Sequence, residues 1–119
     1  MCQHGPALRT AVLVGPGCAS PCEFFSYNPT LEDRAVIVGQ YPTDGAGGSV
    51  QQFVMPEGIF AQLTIGRALD ANGDAHIAGV GVTPTVKVPV SFETLQATAD
   101  GRDPVLQAAE TYLAAQLGP

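Results

Sequence analysis

The serine at position 20 has the sequence setting of a nucleophile. The apolar run 11–14 predicts a buried strand that ends at Gly15-Pro16-Gly17, and a helix is predicted to begin directly after Ser20. A serine at such a sharp turn presents its hydroxyl beside the backbone N–H groups and the positive dipole end of the helix. The pattern Gly-x-Ser-x-Gly is absent. The local pattern alone therefore favours the alternative, in which Ser20 only caps the helix.

The residues after Ser20 define how this helix begins. Ser20 suits the N-cap, and Pro21 suits the first helical position, where no N–H is needed. Glu23 stands three residues after Ser20 and completes a capping box, so its simplest role is that of a capping carboxylate. Asn28-Pro29 is predicted to end the helix.

The rest of the chain predicts short strands separated by turns, with helices near the carboxyl end. Further strands are predicted over residues 34–39, 49–54, 60–68 and 86–90, the last as an exposed or edge strand. Asn72-Gly73 predicts a hairpin turn over 70–74, because this pair supplies positive φ angles. Residues 92–95 suggest one turn of helix, and Asp103-Pro104 begins the last helix. An apolar stripe is predicted along this last helix, made of Val105, Leu106, Ala109, Tyr112, Leu113 and Leu117. The predicted fold class is α/β, with a strand–helix–strand unit, an antiparallel extension and a C-terminal helix.

Composition excludes several classes of function. The 119 residues carry eleven acidic side chains and five lysines and arginines, a net charge of −6. This balance argues against nucleic acid and against an anionic membrane surface, since both bind through Lys and Arg. No apolar run reaches the ~20 residues of a membrane span. No metal site is expected, because three cysteines and two histidines lack the clustering of a structural zinc site.

Several segments together resemble the C-terminal processing (tail-specific) serine peptidases. Gly17-Cys18-Ala19-Ser20-Pro21-Cys22-Glu23 is similar to the family's nucleophile segment, Gly-x-Ala-Ser-Ala-Ser-Glu, with Ser20 at the nucleophile and Glu23 at the glutamate. Further along the chain, 64–68 is similar to Thr-x-Ala-Arg-Tyr, 79–86 to Gly-x-Gly-Ile-x-Pro-Asp-Val, and 103–106 to Asp-Pro-x-Leu. The resemblance covers about residues 10–115, in the family's order.

The resemblance implies a fold, an activity and a site. It implies part of a ClpP/crotonase-like peptidase core over residues 10–117, after an irregular N-terminus at 1–9. It also implies a serine-type peptidase that acts on peptides or proteins with Ser20 as nucleophile and without a cofactor. The family's upstream half, with its peptide-binding PDZ module, is expected to be missing from this chain, so an upstream segment or an oligomer would complete the site. Family members usually work outside the cytoplasm, although no signal peptide is visible at the start of this sequence.

Two departures from the family pattern keep a second hypothesis open. The family's lysine base would fall near Gly45 and Ala46, and the loop 40–48 contains no lysine. Pro21 has no N–H, whereas the family's oxyanion hole uses the amide after the serine. The chain is then either a peptidase that takes its base from elsewhere, as tricorn-like relatives take a histidine from an earlier segment, or a non-catalytic remnant or binding module.

Other polar residues are weaker candidates for the chemistry. Asp44 is interpreted as a turn carboxylate, Lys87 as a solvated strand charge and His76 as an exposed residue beside a hairpin turn, while His4 has no mechanistic role. Cys18 and Cys22 bracket the serine, four residues apart. They are within the reach of a disulfide across the turn, and two small buried thiols are the alternative.

Overall fold

The sheet that carries the predicted nucleophile is parallel and three-stranded. The computed structural model describes residues 10–117. Its strands are β1 (Thr10–Leu13), β2 (Ala35–Gly39), β3 (Gly48–Val54), β4 (Phe60–Arg67) and β5 (Val86–Lys87). Its α-helices are α1 (Pro21–Tyr27), α2 (Phe92–Ala99) and α3 (Pro104–Leu117), and 3₁₀ turns cover Asn28–Glu32 and Pro56–Gly58. Strands β1, β2 and β5 form the parallel sheet in the order β1-β2-β5, while β3 and β4 form a separate antiparallel hairpin.

A helix packs on each face of the parallel sheet, in line with the mainly apolar residues of β1 and β2. Ile37 of β2 is buried with Val14, Ile77 and Val82, and Phe24 and Tyr27 of α1 pack against this cluster. On the opposite face, Val38 is buried with Val88 and Ala109 of α3. The layers are therefore helix, sheet and helix, and the predicted α/β class is confirmed. The predicted burial is confirmed for β2. It is wrong for β1, whose residues are half-buried or exposed because β1 forms an edge of the sheet.

The β3–β4 hairpin extends away from this layered core. Every residue of β3 except Gly48 is exposed, and the hairpin carries large apolar side chains in contact with solvent: Val50, Phe53, Val54, Phe60, Leu63 and Ile65. The radius of gyration is 18.0 Å, whereas a compact domain of this length has about 13.5 Å. Two-stranded hairpins are marginally stable without a packing partner. The apolar residues of this hairpin therefore lack the burial that the sheet residues have.

Several predicted elements differ from the structure. Only Val86–Lys87 of the predicted strand 86–90 forms β5, because Pro89 cannot donate to a ladder, and it pairs in parallel with β2 at the sheet edge. The antiparallel extension is limited to β3–β4 and one bridge between Leu69 and Ala75. The single helical turn predicted at 92–95 is the longer helix α2, which Ser91 caps through the Thr94 amide.

Two details of the predicted turn and of the last helix were also wrong. In the 70–74 turn, Gly73 has a φ of 87° but Asn72 has no positive φ, so the turn does not use the Asn-Gly pair as predicted. Asp70 holds the turn instead, by accepting from the amides of Asn72 and Asp74. Leu106, assigned to the apolar stripe of α3, is 45% exposed.

The loop 40–47 lies against residues 79–82 with almost no space between the two backbones. Thr43 N–H donates to the Val82 carbonyl (3.2 Å), and Gly79 N–H donates to the Gly45 carbonyl (2.8 Å). Gly81 has a φ of 69°, and a Cβ there would lie 2.3 Å from the Thr43 carbonyl oxygen. Position 81 therefore requires glycine for two reasons, the backbone conformation and the close approach.

Comparing Gly81→Ala with Gly79→Ala separates these two reasons. Gly79 also has a positive φ, of 84°, but a Cβ there meets nothing within 4 Å. We expect Gly79→Ala to lower the free energy of unfolding by about 1–2 kcal/mol through backbone strain alone. Gly81→Ala should cost clearly more, because the two segments must move apart. Urea unfolding measures both, and equal losses would show that the close approach contributes nothing to stability.

Candidate active site

Ser20 has a strained backbone conformation at the junction of β1 and α1. Its φ is 53° and its ψ is −113°, whereas an ordinary N-cap residue has an extended backbone. Serine is disfavoured at positive φ, and a residue before proline favours the extended region. Such conformations persist where the surrounding structure fixes them, and they cluster at functional sites. This backbone separates Ser20 from a plain capping serine such as Ser91, whose φ is −137°.

A tight turn places the Ser20 side chain at the corner. The Cys22 N–H donates to the Ala19 carbonyl (3.2 Å), so Ser20 and Pro21 are the two central residues of a β-turn. Positive φ at the first central residue is typical of a type II′ turn, where glycine is usual. Ser20 itself is half-buried. The sharp turn between β1 and α1 that the sequence predicts is therefore present. We call residues 19–22 the elbow, and Ser20 is its residue with positive φ.

Glu23 is a buried carboxylate that binds both sides of the site. It is 0% exposed. Its Oε2 accepts from the Ser20 N–H (2.9 Å), and its own N–H donates to the Ser20 carbonyl (2.9 Å). Its Oε1 accepts from the Thr43 hydroxyl (2.6 Å) and from the Gly45 N–H (2.6 Å). The predicted capping box is present, and the same carboxylate also fixes the loop in which the family places its base.

Thr43 extends this network to the next segment. Its hydroxyl donates to Glu23 and accepts from the Val82 N–H (2.7 Å), and its side chain is buried. The Asp44 N–H donates to the Cys18 carbonyl (2.9 Å), which joins the same loop to the residue before the turn. The turn at Ser20, the loop 40–47 and residues 79–82 are thus connected through polar contacts inside the protein.

The environment of Glu23 keeps its carboxyl ionised. Burial raises the pKa of Glu23, but hydrogen bonds from the Thr43 hydroxyl and from the amides of Gly45, Ser20 and Ala46 outweigh burial, so the net pKa lies below its ordinary value. A buried carboxylate with this many donors is a charged structural group. It is not arranged as a general base for Ser20, since its contact with that residue is to the backbone amide.

A disulfide joins Cys18 and Cys22, with a Cα–Cα distance of 5.3 Å. Of the two possibilities left open by the sequence, the structure has the bridge. Cys18 is buried and Cys22 is exposed. The bridge therefore spans the turn at Ser20 from one side to the other.

No hydrogen bond joins the Ser20 hydroxyl to the other candidate residues in the part of the chain that the structure describes. Asp44 and Lys87 have exposed side chains, with Lys87 on the edge strand β5. His76 was expected to be exposed, which is wrong: its ring lies 4.3 Å from that of Tyr27, and its Nδ1 is buried without a hydrogen-bond partner. Tyr27 ends α1, about 10 Å along the helix axis from Ser20. His4 lies outside the described residues.

The amides next to Ser20 do not form an oxyanion hole. Pro21 has no N–H, so the next amide along the chain that could donate is that of Cys22. The Cys22 N–H is already bonded to the Ala19 carbonyl. The Glu23 N–H is bonded to the Ser20 carbonyl in the same way. Both amides that follow Pro21 are therefore occupied within the turn.

The comparison with known families agrees with this geometry. The model of peptidase family S41 matches residues 3–88. The chain belongs to peptidase family S41. Two solved structures of mature CPAF, one of them complexed with lactacystin, are similar to it, each with a TM-score of 0.65 and 27% identity. Each match covers 88% of this chain but only 22% or 21% of the CPAF chain, so the chain spans about a fifth of CPAF's length. No curated protein sequence matches.

Family membership confirms the resemblance seen in the sequence, but one part of the site was missed. The buried role of Thr43 was not predicted, since it lies in a Gly- and Pro-rich loop that looks like solvent-exposed turn sequence. The sequence does contain a glutamate at a helix start and a hydroxyl in a loop 20 residues later. No local pattern shows that these two residues are in contact.

The helices of the described residues include none long and apolar enough to cross a membrane.

The ionised state of Glu23 predicts a pH-dependent stability. Because the pKa of Glu23 is lower in the folded chain than in the unfolded chain, its contribution is full above the unfolded pKa and is lost as pH falls through the folded pKa. We expect Glu23→Gln to lower the free energy of unfolding by about 2 kcal/mol at pH 7, because hydrogen bonds to a charged group are lost. The gap between wild type and Glu23→Gln should narrow below about pH 5.

Chemical denaturation across this pH range measures the gap directly. Glu110→Gln is the matched control, since Glu110 is exposed on α3 and its substitution should leave a small gap at every pH. A gap for Glu23→Gln that stays constant down to pH 3 would contradict an ionised Glu23 with a lowered pKa.

The strain at Ser20 predicts an unusual response to glycine. Glycine adopts positive φ without steric cost, and replacing an N-cap serine by glycine costs only a few tenths of a kcal/mol. We expect Ser20→Gly to be at least as stable as wild type and more stable than Ser20→Ala by about 1–2 kcal/mol. Thermal and urea unfolding measure both variants.

The matched control is Ser91→Gly, at an N-cap serine with an extended backbone. There glycine relieves no strain and adds flexibility to the unfolded chain, so the variant should lose stability. If glycine were as unfavourable at position 20 as at position 91, the strained conformation of Ser20 would be ruled out.

Proposed function

We propose that the chain carries the nucleophile of a serine-type peptidase of the tail-specific, C-terminal processing kind. Ser20 is the proposed nucleophile, and residues 10–117 are the proposed partial catalytic domain, built on part of a ClpP/crotonase-like core. The observation that carries the proposal is the backbone of Ser20, with φ 53° and ψ −113° at a strand-to-helix turn. Membership of peptidase family S41 supports it, since that family hydrolyses peptide bonds.

In the proposed reaction, the Ser20 hydroxyl attacks the carbonyl carbon of a peptide bond. A bond forms between Oγ and that carbon, the hydroxyl proton passes to a base, and the amine leaves with a proton from the same base. Glu23, Thr43 and the turn hold Ser20 in place but accept no proton from it. The base and the oxyanion donors come from a segment outside residues 10–117 or from a partner copy. Peptides or proteins are the proposed substrates.

A second candidate function is a non-catalytic remnant or binding module with the peptidase fold. Two observations favour it: the loop 40–48 has no lysine, and Pro21 stands where the family's oxyanion donor would be. Loss of one oxyanion donor typically costs about 10²–10³ in rate. The strained Ser20 argues the other way, because a remnant has no reason to retain a costly conformation.

A fluorophosphonate probe, which reacts with activated serines, distinguishes the two functions. We expect the full-length gene product to be labelled at Ser20, as shown by peptide mapping, and Ser20→Ala to abolish both the label and peptide hydrolysis. Ser49→Ala is the matched control, because Ser49 is exposed on β3, and it should keep the label. Stability must be measured alongside, since the alanine also removes a cap.

A second experiment uses the isolated 119-residue chain. It should not hydrolyse casein above the level of its Ser20→Ala variant, because a serine without a base is a poor nucleophile. Serine-dependent hydrolysis by this chain would place the base within it, and Asp44, His76 and Lys87 would be the first positions to mutate. Turnover by the full-length Ser20→Ala variant would overturn the assignment of Ser20.

A further inference from the structure

The disulfide across the nucleophile turn has a position that stabilisation alone does not explain. Its ring encloses Ala19, Ser20 and Pro21, which are the first three residues of the turn. A cross-link restricts the unfolded chain least when it closes a short loop, and this one joins residues only four apart. Its constraint therefore acts mainly on the local geometry of the turn.

We propose that the Cys18–Cys22 disulfide is a redox latch that holds Ser20 in its strained conformation, and that reduction by a dithiol releases it. For peptidase activity, the latch rests on the proposed function of Ser20. The oxidised chain would have the elbow formed, and the reduced chain would have Ser20 relaxed towards an ordinary N-cap backbone.

The hydrogen bonds on the two sides of the turn indicate that, after reduction, the Cys18 side stays in place and the Cys22 side is free to move. Cys18 stays anchored, because its N–H donates to the Gly15 carbonyl (3.0 Å) and its carbonyl accepts from the Asp44 N–H (2.9 Å). On the other side, the Cys22 N–H holds the turn by a bond of 3.2 Å to Ala19, and the Ser20 N–H holds it by its bond to Glu23. With the bridge open, these two bonds and the bonds that the Ser20 carbonyl accepts from the Glu23 and Phe24 amides are left to oppose the strain at Ser20.

The exposure of the two cysteines defines how the latch opens. Cys22 is exposed and Cys18 is buried, so a dithiol reductant attacks the sulfur of Cys22. A mixed disulfide forms between Cys22 and the reductant, and Cys18 leaves as a thiolate that takes a proton from water. The second thiol of the reductant then attacks the mixed disulfide and releases Cys22. Two electrons pass to the protein, and the reductant ends as its own disulfide.

Amide hydrogen exchange of the full chain, with and without dithiothreitol, tests the latch. Intact mass confirms reduction by the gain of two hydrogens at this bridge. We expect reduction to speed exchange at the amides of Cys22 and Glu23 by about tenfold or more, since the turn then opens locally. The Val14 amide, bonded to the Val38 carbonyl in the sheet, should keep its exchange rate.

The double variant Cys18→Ser/Cys22→Ser is the matched control. It should exchange like the reduced wild type and should not respond to dithiothreitol. Unchanged exchange at Cys22 and Glu23 after full reduction would overturn the latch. An equal increase at Val14 would also overturn it, because the bridge would then be a staple for the whole fold.

A second readout connects the latch to the proposed function. The full-length gene product should label with fluorophosphonate faster when oxidised than when reduced. Equal labelling rates in the two states would overturn control of the nucleophile by the bridge. Absence of label in both states would count against the peptidase function instead, and hydrogen exchange would still decide whether the bridge holds the turn.

Discussion

The hydrogen bonds of one buried carboxylate hold the candidate site together. Glu23 is fully buried and ionised, and its two oxygens bind the backbone of Ser20 on one side and Thr43 and Gly45 on the other. Removing such a charge from water is expensive unless donors surround it. The loop 40–47 supplies most of those donors, so the loop and the turn at Ser20 stabilise each other. The positions of residues 79–82 depend on the same network through Thr43.

This network explains how the chain can keep a strained serine. A positive φ at a non-glycine residue needs surroundings that fix it, and here the Glu23 contact, the turn hydrogen bond and the disulfide all act on residues 18–23. The elbow is therefore preformed in this chain, while the partners of the Ser20 hydroxyl are not. Under the proposed function, the site would be divided between segments: this one positions Ser20, and another supplies the base and the oxyanion donors.

The sequence predicted those parts of the structure that local patterns determine. The apolar runs marked two parallel strands, of which β2 is buried at the centre of the sheet and β1 is half-exposed at its edge. Ser20, Pro21 and Glu23 marked the start of α1 correctly. The sign of the Ser20 φ angle has no local signal, since serine at that position usually has an extended backbone. It is set by the Glu23 contact, the turn hydrogen bond and the disulfide acting together, and Glu23 is itself held by Thr43 and Gly45, which lie 20 and 22 residues later.

The errors have the same origin. His76 looked exposed because it follows a polar turn, and its burial depends on the Tyr27 ring from a helix almost 50 residues earlier. Thr43 looked like turn sequence, although its hydroxyl completes the shell of Glu23 and binds the Val82 amide. The predicted strand after Thr85 was too long. The alternation of apolar residues does not take into account that Pro89 has no backbone N–H to donate to a neighbouring strand.

The most direct test of this account is the titration of the Glu23 side-chain carboxyl carbon, followed by NMR in the folded chain. The account predicts a pKa below the ordinary range of glutamate, and a carboxyl signal that shifts back toward that range in Thr43→Val, which removes one donor without changing the shape of the side chain. A carboxyl that titrates with an ordinary or raised pKa in the folded wild type would contradict it. Glu23 would then be neutral or solvated, and the network that positions Ser20 would not exist as described.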